Sequence, residues 1–161
     1  MDFAHLFFSF DGRINRAKWW LSVLVFGISA VLIWLIVLPI FGLDVWEPQN
    51  TTAAAVGSLI LTLIFAYPAT AVMVKRIKDR DRPLWLVAVF WAPTVLGILG
   101  QLAGLTYSME EIGGQMMPIP TALGWLLNVL SFAIGIWALV ELGILKGTAG
   151  PNRWGPDPLA R

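Results

Sequence analysis

The stretch WWLSVLVFGISAVLIWLIVLPIFG, residues 19–42, contains no charged side chain in 24 consecutive positions. About 20 apolar residues in a helix cross the hydrocarbon core of a bilayer, which is roughly 30 Å thick. Lipid cannot satisfy backbone polar groups, so a spanning segment of this kind folds as a helix. The stretch therefore predicts a first transmembrane helix.

Three further segments are apolar and long enough to span, at about residues 53–74, 83–107 and 121–145. Of the 161 residues, 58% are hydrophobic and 13% charged, whereas ordinary soluble domains are about 25% charged. The chain has the length of one domain. We therefore expect an all-α membrane protein, with four transmembrane helices in a single domain over residues 1–161.

The positions of the basic residues predict the orientation of these helices. All eleven Lys and Arg residues lie within residues 13–18, 75–82 and 146–161. With four spans, these three segments share one side of the membrane, and an excess of Lys and Arg marks the cytoplasmic side. Both termini are therefore expected in the cytoplasm, with residues 146–161 as a cytoplasmic tail.

The N-terminal segment, residues 1–12, is too short to span. Its apolar side chains recur with the spacing of one helical face: Phe3, Leu6, Phe7 and Phe10. Asp2 is placed to cap such a helix. We expect a short helix at the membrane interface, with packing on the cytoplasmic end of the bundle as an equally weighted alternative.

Two predicted helices carry stripes of small and weakly polar residues. The stripes are Ser58, Thr62, Ala66 and Ala69 in the second, and Gly124, Asn128, Ser131, Gly135, Ala138 and Leu142 in the fourth. Such stripes let membrane helices approach closely, so packing within the bundle is expected, with a polar track for a solute as the alternative. Residues 108–120 are expected to form an outer loop, with Thr121 capping the fourth helix.

Glu141 is the one ionisable residue inside a predicted span. Such residues are costly in a membrane and are candidates for functional sites. Glu141 lies shortly before Lys146, close to the predicted cytoplasmic interface. We expect it to form an ion pair with an Arg of residues 75–82, while a proton-relay or substrate role is the alternative.

Each basic segment contains a motif rich in Arg, Asp, Gly and Trp. The motifs are FDGRINRAKWW at 10–20, KRIKDRDRPLW at 75–85 and GPNRWGPDP at 150–158. In this order they resemble the signatures of the domain of unknown function 805 family, a group of small bacterial inner-membrane proteins. The matching residues are Phe10, Gly12, Arg13, Arg16, Trp19, Trp20, Arg76, Asp79, Arg82, Trp85, Gly150, Asn152, Arg153, Trp154, Gly155, Asp157 and Pro158.

The resemblance implies a multi-pass protein of the bacterial inner membrane with four helices and no established activity. In the second motif, Lys78 and Asp81 stand where the family commonly has His and Gly. A role that depends on that histidine therefore does not apply to this chain.

Because the predicted topology brings the three motifs to one membrane surface, two hypotheses follow. The first is a lock of ion pairs and turns that clamps the tail to the helices. Its members are Gly12, Asp79, Trp85, Glu141, Asn152, Arg153, Trp154, Gly155 and Asp157. The second is an anion site that binds a lipid phosphate. Its members are Arg13, Arg16, Arg76 and Arg82.

The two hypotheses differ in one geometric requirement. If the guanidinium groups of Arg13, Arg76 and Arg82 each meet a protein carboxylate, or point apart by more than a headgroup could bridge, the phosphate-clamp hypothesis fails and the cluster is only a lock.

Catalysis is not expected from this sequence. It has no Cys and a single His, so disulfides, thiolate nucleophiles and Cys-based metal sites are excluded, and neither a cofactor nor a metal is predicted. We expect a structural, accessory or anionic-lipid-interacting component of the membrane. Its expected partners are membrane lipids, including anionic phospholipid, and a second copy or another membrane protein, but not nucleic acid.

Two alternatives remain open at the level of sequence. The chain could be an oligomeric subunit of a small transporter or channel. Less favoured is a lipid-phosphate enzyme in which Asp79, Asp81 and Asp157 hold a divalent cation.

Overall fold

The computed structural model describes residues 2–37 and 51–160. The helices are α1 (Phe3–Phe8), α2 (Arg16–Leu32), α3 (Thr51–Asp79), α4 (Leu86–Leu102) and α5 (Ala122–Ala138). A π-helical segment extends α2 over Ile33–Val37, and another extends α5 over Leu139–Ile144. Two strands, β1 (Tyr107–Ile112) and β2 (Gln115–Pro120), lie between α4 and α5.

Three helical stretches of the described residues are long and apolar enough to cross a membrane. They are Arg16–Ile36, Ala55–Asp79 and Ala122–Ile144. These stretches correspond to the first, second and fourth predicted spans. The end of the first predicted span and the outer loop that follows it lie within residues 38–50, outside the described residues.

The third predicted span, residues 83–107, is shorter in the structure than expected. Its helix, α4, has 17 residues, fewer than the approximately 20 that cross a bilayer without adjustment. Gly104, at φ +70°, ends the helix. The amides of Gly104 and Leu105 donate to the carbonyls of Gln101 and Gly100 at 3.0 and 2.9 Å, which is the Schellman arrangement.

The expectation of an all-α fold is wrong for residues 107–120, which form an antiparallel hairpin rather than an irregular loop. Ile112 pairs with Gln115 across a two-residue turn formed by Gly113 and Gly114. Both glycines have positive φ, +62° and +82°, as the hairpin turn with two left-handed residues requires. The Gly-Gly pair was the sequence signal for this turn.

The N-terminal helix is capped as expected and packs on other helices. The carboxylate of Asp2 accepts the amide of His5 at 3.1 Å. Leu6 is buried in the core, and the ring of Phe7 lies 5.3 Å from that of Phe26. The ammonium group of Lys75, in α3, donates to the carbonyls of His5 and Leu6, both at 2.6 Å. These contacts correspond to the packing alternative.

The described residues divide into two compact units. The basic unit comprises those within 1–27, 64–91 and 134–161, and the apolar unit those within 28–63 and 92–133. The core of the basic unit consists of Leu6, Ile14, Trp19, Val72, Ile77, Leu86, Phe90 and Leu142. Gly143 allows α2 to approach this unit's π-helical segment, because a Cβ there would lie 2.6 Å from the Trp19 ring.

In the apolar unit, the first turn of α5 packs against Thr106, the residue that precedes the hairpin. The hydroxyl of Thr121 accepts the amide of Gly124 at 3.1 Å, which confirms the predicted cap. The amide of Thr121 donates to the carbonyl of Thr106 at 3.0 Å. A Cβ at Gly124 would lie 2.1 Å from that carbonyl oxygen, so the close approach depends on glycine.

We predict that Gly124→Ala destabilises the protein by about 1–3 kcal/mol, the usual cost of overpacking, because a hydrogen-bonded backbone carbonyl must move. Gly135→Ala in the same helix is the control, since a Cβ there meets nothing within 4 Å and Ala favours a helix by up to about 1 kcal/mol over Gly. Thermal unfolding in detergent measures both. Equal midpoints for the two variants would contradict the predicted contact.

Candidate functional site

The basic unit is organised around the carboxylate of Asp79 at the end of α3. Arg13 contacts it from the first motif, with Nη2 3.1 Å from Oδ1, and Arg76 contacts Oδ2 from one helical turn earlier. All three side chains are at most 3% exposed. Buried ion pairs are maintained only where further hydrogen bonds satisfy the remaining donors.

Backbone carbonyls of the C-terminal segment supply those hydrogen bonds for Arg13. Its Nη1 donates to the carbonyl of Gly150 at 2.9 Å and to that of Gly155 at 3.2 Å. Its Nη2 donates to the carbonyl of Thr148 at 2.7 Å. Arg13 therefore joins the first motif to the second by an ion pair and to the third by carbonyl contacts.

Arg76 is satisfied in a similar way by the segment after α5. Its Nε donates to the carbonyl of Leu142 at 2.7 Å and its Nη2 to that of Leu145 at 2.5 Å. Gly147 brings the chain against Asp79, where a Cβ would lie 2.1 Å from Oδ2. The two guanidinium groups thus share one carboxylate, and their other donors are used by carbonyls.

The third motif folds as a closed turn. Asn152 and Gly155 exchange backbone hydrogen bonds of 3.1 and 3.0 Å, and the Asn152 amide donates to the carbonyl of Lys78 at 2.9 Å. The Asp157 carboxylate accepts the amides of Leu159 at 2.8 Å and Gly150 at 2.9 Å. These amides hold the pKa of Asp157 below its ordinary value, so this carboxylate stays ionised at neutral pH.

Glu141 forms the second ion-pair cluster, as its sequence position predicted. Its Oε1 lies 3.2 Å from Nε of Arg80 and 2.9 Å from Nε of Arg82. Glu141 is buried, whereas half of the Arg82 side chain is exposed. Arg80 was absent from the predicted site, although it belongs to the second motif.

The aromatic members of the predicted lock have different surroundings. Lys78 and Arg153 lie 5.2 and 5.1 Å from the ring centre of Trp154, within the range of cation–π contact. Arg153 also pairs with Asp81 at 2.8 Å, at the surface. Trp85 is 60% exposed and makes no ring contact or side-chain hydrogen bond with the described residues. The structure therefore places Trp85 outside the cluster.

Two lysines that sequence reasoning missed attach the N-terminal segment to α3. Besides Lys75, Lys78 donates through Nζ to the carbonyl of Phe10 at 2.7 Å. Gly12, at φ +78°, reverses the chain just before Arg13. Every residue has a backbone carbonyl, so the sequence cannot show which carbonyls accept from these lysines. Only their spacing on one face of α3 indicated that both contact the same segment.

Beside Asp79, the basic unit contains a recess of about 490 Å³. Arg16 and Lys146 lie at its wall, with Thr148, Asp157 and the apolar side chain of Leu159. Arg16 is exposed and donates through Nη1 to the carbonyl of Ile144 at 3.0 Å. The ammonium group of Lys146 has no partner among residues 2–37 and 51–160.

The fold and this cluster define a mostly helical protein in which three helices of the described residues have the length and composition to span a membrane. The chain belongs to the family described as Protein of unknown function (DUF805), whose model matches residues 7–156. This confirms the family that the three motifs indicated.

Two curated relatives extend the comparison. The chain is 26% identical over 160 residues to the uncharacterized protein YiiR of Escherichia coli strain K12, and equally to that of Escherichia coli O157:H7. In both cases the alignment covers 98% of this chain and 90% of the relative. No solved structure matches the chain.

We predict that Asp79→Asn lowers stability by about 3–5 kcal/mol, because two buried guanidinium groups lose their counter-charge. Asp81→Asn is the matched control, since its pair with Arg153 is exposed and such pairs contribute at most about 1 kcal/mol. Thermal unfolding in detergent and trypsin cleavage of the tail report the two effects. If both variants unfold like the parent protein, Asp79 is not the centre of the lock.

Proposed function

We propose that the protein is a non-catalytic, multi-pass component of the bacterial inner membrane that binds anionic phospholipid at its cytoplasmic face. In this proposal four helices span the membrane within a single domain, and both termini are cytoplasmic. The family membership and the distribution of all eleven Lys and Arg residues support this topology. The 17-residue helix α4 would serve as the short third span, with the bilayer thinning locally or flanking residues reaching the interface.

This topology predicts the behaviour of reporter fusions. A reporter that is active only in the cytoplasm should work when fused after Arg161 or before Met1. The same reporter should be inactive when inserted at Gly113–Gly114, the hairpin turn, which the proposal places in the periplasm. Periplasmic activity of the fusion after Arg161 would contradict the proposed orientation.

One observation carries the lipid proposal. Arg13, Arg76 and Arg82 each meet a protein carboxylate, so the phosphate clamp predicted from Arg13, Arg16, Arg76 and Arg82 is wrong, and these three residues belong to the lock. Arg16 and Lys146 meet none, and both lie at the 490 Å³ recess. We therefore propose that Arg16 and Lys146 bind the lipid headgroup.

The charges around the recess favour an anion in spite of two carboxylates at its wall. Asp79 is shared by two guanidinium groups, and both oxygens of Asp157 accept backbone amides. A phosphate would meet the free donors of Arg16 and the ammonium group of Lys146, and Arg suits phosphate contact. Leu159 and Pro158 offer an apolar surface to the glycerol and acyl part.

The hydrogen bonds of the lock position the residues of this site. Carbonyls at 142–155 accept from Arg13 and Arg76, so Lys146 is held near Arg16 by contacts that do not involve a lipid. An accessory role follows from this arrangement: a tail fixed to the membrane helices, with an anion site between them. A second copy or another membrane protein remains a proposed partner.

We predict that the double variant Arg16→Ala/Lys146→Ala binds phosphatidylglycerol on the order of 30-fold more weakly. Each cation near an anionic lipid contributes about 1 kcal/mol, and 1.4 kcal/mol is tenfold in affinity. Native mass spectrometry of the detergent-solubilised protein, titrated with phosphatidylglycerol, measures the change.

The control is Lys18→Ala/Arg153→Ala, which removes the same charge from the basic unit but away from the recess. This control should bind lipid nearly as well as the parent protein. Equal weakening in both double variants would mean a diffuse charge effect, and no weakening in either would exclude the site. Competition by millimolar inorganic phosphate would indicate that a free anion is the ligand instead.

A further inference from the structure

A second cavity, of about 250 Å³, lies entirely within the apolar unit, lined by residues of α3, α4 and α5. The two polar stripes anticipated from the sequence meet there. Its hydrogen-bonding side chains are Ser58, Thr62, Thr94, Gln101, Thr106, Tyr107, Asn128 and Ser131, of which Gln101 has a partner. Among the described residues, no Asp, Glu, Lys, Arg or His lines it.

Most of these polar groups have no partner. Thr106 is only 4% exposed, and its Oγ1 is buried without a hydrogen bond. The side chains of Ser58, Thr62, Thr94 and Asn128 also make no hydrogen bond within residues 2–37 and 51–160. Five polar side chains that line one cavity thus make no hydrogen bond with the described residues; Thr106 is buried, whereas Thr94 and Asn128 are exposed.

Other hydroxyls on the membrane-length helices, including that of Ser131 at the cavity itself, are satisfied within their own helix. Ser22, Thr70 and Ser131 each donate to the carbonyl four residues earlier, at 2.8, 2.5 and 2.7 Å. That bond is the usual solution for a hydroxyl in a membrane helix. Ser58 and Thr62 do not use it, so their hydroxyls are free to donate into the cavity.

Size and charge restrict the occupant. A volume of about 250 Å³ exceeds a single water's share of the liquid, ~30 Å³, about eightfold. It is smaller than the ~300 Å³ at which pockets for drug-sized ligands begin. An ion would lie in this cavity without a counter-charge, which is strongly unfavourable away from bulk water. Ile98 and Leu127 also line the cavity, and their apolar side chains can contact the carbon skeleton of an occupant.

We propose that this cavity binds small uncharged molecules that both donate and accept hydrogen bonds, namely water or a low-mass polyol. The buried, unpartnered hydroxyl of Thr106 is its fixed hydrogen-bonding group, and Ser58, Thr62, Thr94 and Asn128 complete it. This site is separate from the lipid recess and does not depend on the lipid proposal. It requires only that α3 and α5 lie in the membrane.

The absence of native cysteine allows a direct test in proteoliposomes. Thr62→Cys places a thiol in the cavity, and Leu63→Cys places one at the adjacent position, where Leu63 is 68% exposed and would face lipid. The reagent is hydroxyethyl methanethiosulfonate, a small uncharged molecule. It reacts with thiolates, and these form where water reaches the sulfur.

Thr62→Cys is expected to react at least tenfold faster than Leu63→Cys. Ser131→Cys and Phe132→Cys form a second pair on α5, which guards against misfolding of the first; helicity and elution volume check the fold of all four. Equal rates within both pairs, whether fast or slow, would overturn the proposal.

Competition with glycerol distinguishes the two possible occupants, water and a polyol. If glycerol slows the labelling of Thr62→Cys without affecting a surface thiol, a polyol binds, whereas rapid labelling that glycerol leaves unchanged means that water is the occupant.

Thr106→Val, which keeps the shape and removes the hydroxyl, should not raise the unfolding midpoint if the hydroxyl is satisfied by an occupant. A rise in the midpoint would show a dry cavity with an unsatisfied group and would overturn the proposal.

Discussion

A single carboxylate, that of Asp79, balances two guanidinium groups where almost no water reaches. Removing charges from water is costly, and their attraction repays that cost only when every remaining donor is also satisfied. All six guanidinium nitrogens of Arg13 and Arg76 donate hydrogen bonds, five of which go to the carbonyls of Leu142, Leu145, Thr148, Gly150 and Gly155 and two to Asp79. The path of the chain from Leu142 to Gly155 follows from this requirement, because carbonyls must lie wherever a donor points. Lysine could not replace either residue, since its ammonium is a point charge without the planar fork that reaches several acceptors at once.

The sequence predicted the parts of this arrangement that depend on charge and hydrophobicity. Runs without charge indicated the membrane helices, and the depth of Glu141 near a basic segment indicated its ion pair, which the structure has with Arg80 and Arg82. The parts it could not predict depend on backbone acceptors and local turns. Nothing in the identity of Leu142 or Gly150 shows that its carbonyl accepts from an arginine. The hairpin was missed because residues 107–120 were read by hydropathy, although Gly113 and Gly114 are typical of a tight turn.

The two units satisfy their polar groups in opposite ways. In the basic unit, even some cations that lack a carboxylate have acceptors, as the contacts of Lys75 and Lys78 with N-terminal carbonyls show. The ammonium groups of Lys18 and Lys146 make no such contact with the described residues, and Lys146 lies exposed at the recess where we propose that an anion binds. In the apolar unit, the cavity side chains are uncharged and largely without partners. A polar group left unpaired in an apolar environment is costly, so the buried hydroxyl of Thr106, which has no hydrogen bond, indicates a missing uncharged partner.

The tail, residues 146–161, has Gly, Asn and Asp rather than apolar residues at its turns because its backbone has to supply the carbonyls that Arg13 requires. Gly147 has to pass so close to Asp79 that a Cβ would overlap the carboxylate. The side-chain oxygens of Asn152 and Asp157 accept amides of the turn itself, and the Asn152 side-chain amide donates to the carbonyl of Lys78 in α3, so the segment keeps its shape without an apolar core. A tail held by hydrogen bonds to the ends of helices can remain at the membrane surface, where water is available to its exposed side. The same segment made of apolar residues would be drawn into lipid, and Arg13 would lose the carbonyls that make its burial possible.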